Sequence, residues 1–273
     1  MPQVGKFKGL LKLKVRIKAK TGLHIGGAKE NVEIGGIDNI VEKLKIYRTE
    51  KEINGKREFR EVPYIPGSSL KGKLRSLLEW VEHPFNQQGQ RESQVIALTY
   101  KGHPCKCGKC MICKLFGGHQ ASGKEPVRLR FDDFYPTDDT IEMWENTLEG
   151  VYTEIKVENT IDRISSRSSN LRHTERVIAG SEFEGYITCR IFEGDSYEDF
   201  FKLIKTGLEM LEDDYLGGSG SRGYGRVEIR IEDIEYKAVE NGEYKKKDQD
   251  NVINKAKEVF AELINKEVKN VSA

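Results

Sequence analysis

Between His103 and Cys113, in the stretch GHPCKCGKCMICKLFGG, four cysteines and one histidine crowd together. Zinc takes four sulfur or imidazole ligands in a tetrahedron, and C-x-x-C spacing lets two thiolates reach one ion. Cys107 with Cys110 has that spacing, and so does Cys110 with Cys113. His103, Cys105, Cys107, Cys110 and Cys113 therefore compete for four places. The set His103, Cys105, Cys110 and Cys113 is preferred, with Cys107 able to displace either of the first two. A filled four-ligand site has no open position, so this Zn2+ is expected to hold a loop rather than to catalyse. A disulfide framework would scatter its cysteines; the cluster points instead to a reducing compartment. Cys189, alone in YITCRIF, reads as a core residue.

A second chemical stretch is LGGSGSRGYGR, Leu216 to Arg226, with G-x-G-x-x-G at Gly218, Gly220 and Gly223. A dinucleotide-binding loop follows a strand and opens a helix. Here a helical pattern precedes it (Phe200, Phe201, Ile204, Leu208, Leu211) and an alternating strand follows it (Val227, Ile229, Ile231). That order excludes a nicotinamide cradle. A helix C-cap at Gly217 and a bend into the strand would use some of the glycines. The remainder, Gly218, Ser219, Gly220, Ser221, Arg222 and Gly223, offers exposed N–H groups, hydroxyls and a cation to a phosphate chain.

Two further segments carry phosphate chemistry. In LKLKVRIKAK, Leu11, Leu13, Val15, Ile17 and Ala19 fall on one face of a strand, and Lys12, Lys14, Arg16, Lys18 and Lys20 on the other. Seven basic residues and no acidic one precede His24, so Lys14, Arg16 and Lys18 form a candidate phosphate track. The alternative is a solvated outer sheet face. In IPGSSLKGKLRSLLEWV, Ser68 or Ser69 is a natural helix N-cap, with Leu70, Leu74, Leu77, Leu78 and Val81 as the buried stripe. Lys71 and Arg75 share another face.

The elements that position these residues are strands with few helices. A charged strand pair over 42–62 turns at Asn54-Gly55. Residues 151–180 read as a long hairpin with a polar tip, SSRSSNLRH, and Arg163, Arg167, Arg172 and Arg176 lie along it. A tail helix spans about 249–268. The order does not alternate as in a doubly wound sheet. The expected class is α+β, with a ferredoxin-like core interrupted by insertions. A single domain is expected: core about 7–82, 126–150 and 181–238, zinc-bearing insertion about 83–125, hairpin about 151–180. With 33% charged residues and a net charge of +1, the charge is balanced overall and asymmetric only locally. No segment resembles a signal peptide or a membrane span, so a cytoplasmic protein with no membrane partner is expected.

Several segments, in order, resemble one family: TGLHIGG (21–27), IGGIDN (34–39), IPGSSLKGKLR (65–75), CKLFG (113–117), EIKVENTIDRI (154–164) and DYLGGSGSRGYGRV (214–227). They resemble the repeated backbone subunit of the type III-A CRISPR (Csm) interference complex, in the RAMP superfamily with its RRM-like core. The likeness covers about residues 10–235; the tail after about Tyr236 falls outside it. The resemblance implies copies of this subunit stacked along one CRISPR RNA, with a hairpin thumb (about 154–179) displacing a base pair of the guide–target duplex at intervals. It implies further partners: target single-stranded RNA, an end-capping RAMP subunit, a large polymerase-like subunit and a small helical subunit. It implies that Asp38 cuts the target RNA, with Mg2+ or Mn2+, leaving 2′,3′-cyclic phosphate ends.

The residues leave rivals open. Asp38-Asn39 after Gly-Gly is also an ordinary turn, which would make the chain a binding scaffold. His24, beside a glycine turn, could be structural, could stack on RNA, or could be the general base of a stand-alone CRISPR RNA processing enzyme. A zinc-stabilised protein-interaction module without RNA is the third rival. The lead reading expects Lys14, Ser68, Arg75 and Arg222 to converge on one groove.

Overall fold

The structure, a computed structural model, is described for residues 5–26, 40–46, 52–53, 56–57, 60–81, 104–105, 108, 110–118 and 125–266. Its central strand is β1 (Phe7–Ala19), whose alternation buries Leu11, Leu13, Val15, Ile17 and Ala19 almost completely. The two flanking strands are β10 (Glu182–Phe192) and β11 (Val227–Glu240), both antiparallel to β1. Outside them lie β6 (Leu129–Phe131), with β7 (Tyr135–Pro136) also on β10, and β12 (Glu243–Lys246).

Helix α1 (Gly67–Val81) lies between β1 and β6 in sequence, and helix α4 (Tyr197–Asp213) between β10 and β11. With the sheet order β11-β1-β10-β6, this is the β-α-β-β-α-β arrangement of a ferredoxin-like core. The apolar stripes of both helices join the buried residues of β1 in one core, except that Val81, expected in the stripe of α1, is 49% exposed at the helix end. At their crossing, Gly207 of α4 sits so near Leu78 of α1 that a Cβ there would lie 3.0 Å from Leu78 Cδ1. The smallest side chain thus sets the helix–helix approach.

Smaller elements complete the frame: the strand pair β2 (Lys43–Ile46) and β5 (Arg60–Pro63), and the pair β3 (Glu52–Ile53) and β4 (Lys56–Arg57). Ile53 pairs with Lys56, while the expected turn residues Asn54 and Gly55 lie outside the described residues. Helix α2 (Met111–Phe116) carries the cysteines, and α3 (Asp138–Glu142) runs into a π-helical turn, Met143–Thr147. The hairpin is β8 (Thr153–Ile161) and β9 (Ser168–Val177). Its tip is Asp162–Arg167, a turn closed by Asp162 Oδ1, which accepts from the amides of Ile164 (3.0 Å) and Ser165 (2.7 Å). Arg163 and Arg167 therefore stand at the tip and Arg172 on a strand, a shift from the sequence reading, which put the tip at 165–173. The tail helix is two pieces, α5 (Asn251–Val259) and α6 (Ala261–Ile264), broken at Phe260. Among the described residues no helix is long and apolar enough to cross a membrane.

Candidate nucleic-acid interface

Residues 21–26 leave β1 and run between the hairpin and the glycine loop. On one side, Leu23 and Val177 exchange both backbone bonds (3.1 and 2.7 Å). On the other, Gly218 N–H donates to His24 O (2.8 Å) and Gly225 N–H to Gly22 O (3.0 Å). The loop's glycines answer to this interlock unequally. Gly217 has φ +81, and a Cβ would lie 2.2 Å from His24 O; at Gly225 (φ +72) it would lie 2.1 Å from Leu216 O. Those two serve the fold. Gly218 has no such φ, and its Cβ would meet nothing nearer than His24 Cδ2 at 3.4 Å, an ordinary contact. Gly217→Ala should therefore cost more than the ~1–2 kcal/mol of a left-handed L-residue. Gly218→Ala should change stability by under about 0.5 kcal/mol yet weaken RNA binding if a sugar–phosphate chain approaches there; thermal melts and filter binding on the two variants separate these effects.

The loop and the hairpin face each other across a cleft of about 370 Å3 lined by Glu158, Asn159, Thr160, Arg172 and Arg222. Arg222 Nη1 donates to Glu158 (3.0 Å), and Lys156 Nζ donates to Arg222 O (3.2 Å). Burial alone would raise the Glu158 carboxyl, but the bonds from Lys156 and Arg222 outweigh it and hold it below the usual range. Lys156 and Arg176 sit over the ring of the buried Tyr224 at 4.4 and 5.1 Å. Ser219, Gly220 and Ser221 continue the rim, Ser219 in the left-handed region and Gly220–Arg222 as one 3-10 turn. Helix α1 is tied to the same loop by Lys73, which donates to Asp214 (2.6 Å) and lies over Tyr215 (3.7 Å).

A buried carboxylate organises the hairpin base. Glu175 accepts from Lys43 Nζ (2.5 Å), Thr153 Oγ1 (2.7 Å) and Val41 N–H (2.9 Å), and its backbone oxygen meets His24 Nδ1 (2.7 Å). Burial pushes its pKa up, yet these donors win and keep it below the ordinary 4.5. A depressed carboxylate contributes stability that is complete above its unfolded pKa and lost as pH falls through the folded value. The stability advantage of the native chain over Glu175→Gln should thus hold at pH 6 and shrink below about pH 4.5, read from melting temperatures across that range.

Several site residues expected from the sequence are placed otherwise. Lys14 pairs with Glu184 (3.1 Å), Arg16 with Glu182 (3.3 Å) and Glu232 (3.2 Å), and Lys18 with Glu182 (3.1 Å). The single-sign track is a lattice of both signs, because β10 and β11 lay glutamates beside it. It also lies on the open face of the sheet, whereas α1 packs on the buried face, so Lys14 and Ser68 do not share a groove. Arg75 is engaged inside the fold. Its Nη1 donates to Gly117 O (2.7 Å), its Nη2 to Cys105 O (2.7 Å) and its Nε to Glu79 (2.9 Å). His24 is 9% exposed and its Nδ1–H is held by Glu175 O, which fixes the ring edge-on in the fold, leaves little face for stacking and leaves Nε2 as the basic nitrogen. Ser68 and Ser69 lie inside the first turn of α1; the Gly67 amide is capped instead by Asp133 Oδ1 (2.8 Å) from the β6–β7 turn. Lys71 remains: burial first, then Arg75 and Arg190, hold its pKa below the usual lysine value. A cation crowded by cations is suited to an anion. Asp38, His103 and Cys107 lie outside the described residues.

The sulfurs of Cys105, Cys110 and Cys113 lie within 4.8 Å of one another, with Cys105 Sγ 3.9 Å from Cys110 Sγ. Tetrahedral zinc with Zn–S near 2.3 Å requires sulfurs about 3.8 Å apart, so the donor set fits. Cys110 also caps α2, its Sγ accepting from Cys113 N–H (3.4 Å). Sequence reasoning missed Lys73, Lys156, Glu175 and Tyr224. Only Tyr224, an aromatic ring set between two glycines, carried a local signal.

An antiparallel ferredoxin-like sheet, a glycine loop entering β11 and a long hairpin beside that loop define a class. The RAMP superfamily profile matches residues 16–228, and the chain belongs to that superfamily. Within it, the chain is similar to CRISPR system Cms endoribonuclease Csm3 of Methanothermobacter thermautotrophicus, 39% identical over 246 residues, covering 83% of this chain and 88% of that one. It is likewise similar to the protein of that name from Methanocaldococcus jannaschii, 40% identical over 227 residues, covering 82% and 80%. The Methanopyrus kandleri Csm3 crystal structure superposes with a TM-score of 0.50 at 25% identity, covering 85% of this chain and 78% of that chain.

Proposed function

We propose that this chain is a backbone subunit of a type III-A CRISPR effector complex, binding a guide CRISPR RNA and cutting the complementary target RNA at regular intervals. The observation that supports it most is the cleft between hairpin and glycine loop, where Arg172 and Arg222 stand beside Glu158, Asn159 and Thr160. Such a surface grips phosphates and leaves sequence to base pairing. Ser219, Gly220 and Ser221 bring amides to the strand, Gly223 closes their turn by donating to Gly220 O (3.0 Å), Gly218 permits close approach, and Lys71 and Ser68 extend the contact along α1. The β8–β9 hairpin is the thumb, with Arg163 and Arg167 at the tip that enters the duplex.

Cleavage uses the target's own 2′-OH. That oxygen must lie in line with the leaving 5′-oxygen, a geometry that a stacked A-form strand forbids and a displaced nucleotide reaches. Positioning of this kind lowers a barrier by several kcal/mol. Asp38 is the residue assigned to cleavage, in a segment whose flanks Gly26 and Val41 pair at the hairpin base. Mg2+ or Mn2+ held by Asp38 would supply positive charge at the phosphate. A structural Zn2+ would be held by Cys105, Cys110 and Cys113, with a fourth ligand from His103 or Cys107, and would hold that segment beside α1. The partners are further copies of the chain and the other subunits of the complex.

The test is binding and assembly. Purified protein mixed with guide RNA should form long RNA-dependent assemblies on size exclusion, with affinity falling steeply as salt rises. Arg172→Glu with Arg222→Glu should abolish both. A protein that stays monomeric and indifferent to RNA in every salt would overturn the reading.

A further inference from the structure

We propose that the open face of the sheet holds a second anion site, a pocket that takes one phosphate group. At one level across the sheet, Arg130 of β6 pairs with Thr188 of β10, Thr188 with Lys12 of β1, and Lys12 with Glu235 of β11. With Lys237 and Tyr244 these residues line a cavity of about 170 Å3. Thr188 is 4% exposed, and its hydroxyl has no hydrogen-bond partner. Folded proteins leave few buried hydroxyls unpaired, and this one borders a cavity that Leu10 and Tyr244 share with three cations, so a partner can come from outside.

The charges around that hydroxyl say which partner. Lys12, Arg130 and Lys237 bring three cations against one carboxylate, and Glu235 is already engaged by Lys246 at 3.2 Å. Arg130 reaches Asp132 at 3.2 Å with only part of its donor fork. Lys12 rests over the Tyr186 ring at 3.9 Å. Among the described residues neither Lys12 nor Lys237 has an ion-pair partner. The lattice that neutralises Lys14, Arg16 and Lys18 thus stops short of this end of the strand. A phosphate group offers what is missing: negative charge for the ammonium groups and oxygens that accept from a hydroxyl and a guanidinium. A cavity of this size holds the group without demanding a base. The pocket is distinct from the cleft. Lys12 lies eight residues along β1 from Lys20, where the strand meets the glycine loop, about 26 Å at strand spacing.

Two sources share this chemistry, an RNA backbone phosphate and a free phosphate. Lysine acylation of the full-length protein, read by mass spectrometry, distinguishes them with inorganic phosphate and a short single-stranded RNA as probes. Either probe should slow modification of Lys12 and Lys237 several-fold and leave Lys202, on the far side in α4, unchanged. Protection by inorganic phosphate identifies a free-phosphate site; protection by RNA alone identifies a backbone contact. Thr188→Val keeps the shape and removes the hydroxyl. It should abolish protection and, without ligand, raise the melting temperature. Lys237→Glu, at a more open position, should abolish protection without touching the pocket floor. The proposal is overturned if neither probe protects, or if both variants are protected as well as the native chain. Target cleavage is not the readout, so failure here is separate from failure of the cleft.

Discussion

Asp38→Ala is expected to leave guide and target RNA bound while target cleavage falls by about 10²-fold or more, the range over which a positioned acid–base group acts. The proposed grip rests on Arg172, Arg222 and the amides of the glycine loop, which belong to other segments of the chain than Asp38. Loss of one carboxylate should therefore remove a catalytic contribution and leave the phosphate grip in place. Asp38→Asn keeps the shape and the turn-forming capacity of the side chain. If charge is what matters, it should fail as completely as alanine; if the residue only shapes a turn, asparagine should cut normally. Gel shift and product analysis on the assembled complex, with and without Mg2+ or Mn2+, give both readings. Cleavage undiminished in Asp38→Ala would make the chain a scaffold.

Arg75→Ala should be the most destabilising of the site-region substitutions, by about 3–5 kcal/mol, the cost of stripping one partner from a buried ion pair. The Arg75 and Glu79 side chains are 15% and 8% exposed. Without the guanidinium, Glu79 keeps only the Cys105 amide (3.0 Å), and the carbonyls of Cys105 and Gly117 lose their donor. The damage should reach the cysteine cluster and the zinc proposed there, because Cys113 Sγ also leans on Cys105 O at 3.3 Å. Zinc content measured alongside the melting temperature should therefore fall with it. Arg75→Met combined with Glu79→Met should recover much of the loss, since replacing a buried pair by apolar groups of similar volume is often neutral. A melting temperature unmoved in Arg75→Ala would mean that the pair is not buried in solution.

What could be read from the sequence was what local periodicity encodes. The alternation of β1, the stripe of α4 and the C-x-x-C spacing each name their structure within a dozen residues. The reversed order of helix, glycine loop and strand was enough to discard a nucleotide cradle. Partners from distant segments could not be read. Lys14, Arg16 and Lys18 look like one charged face until Glu182 and Glu184 arrive from more than 160 residues away in β10. Arg75 looks like a phosphate ligand until the cysteine loop folds over it. His24 looks available until Glu175 and Gly218 close on it from both sides. A cap predicted from Ser68 or Ser69 came from Asp133 because tertiary context outbid the local candidate.

The strip at 22–24 is bonded to the hairpin along one edge and to the glycine loop along the other, and Lys73 bolts α1 to the same loop. Hairpin, loop and helix are consequently one lever with little slack. A duplex seated against the hairpin as proposed would therefore load the glycine loop and α1 as well.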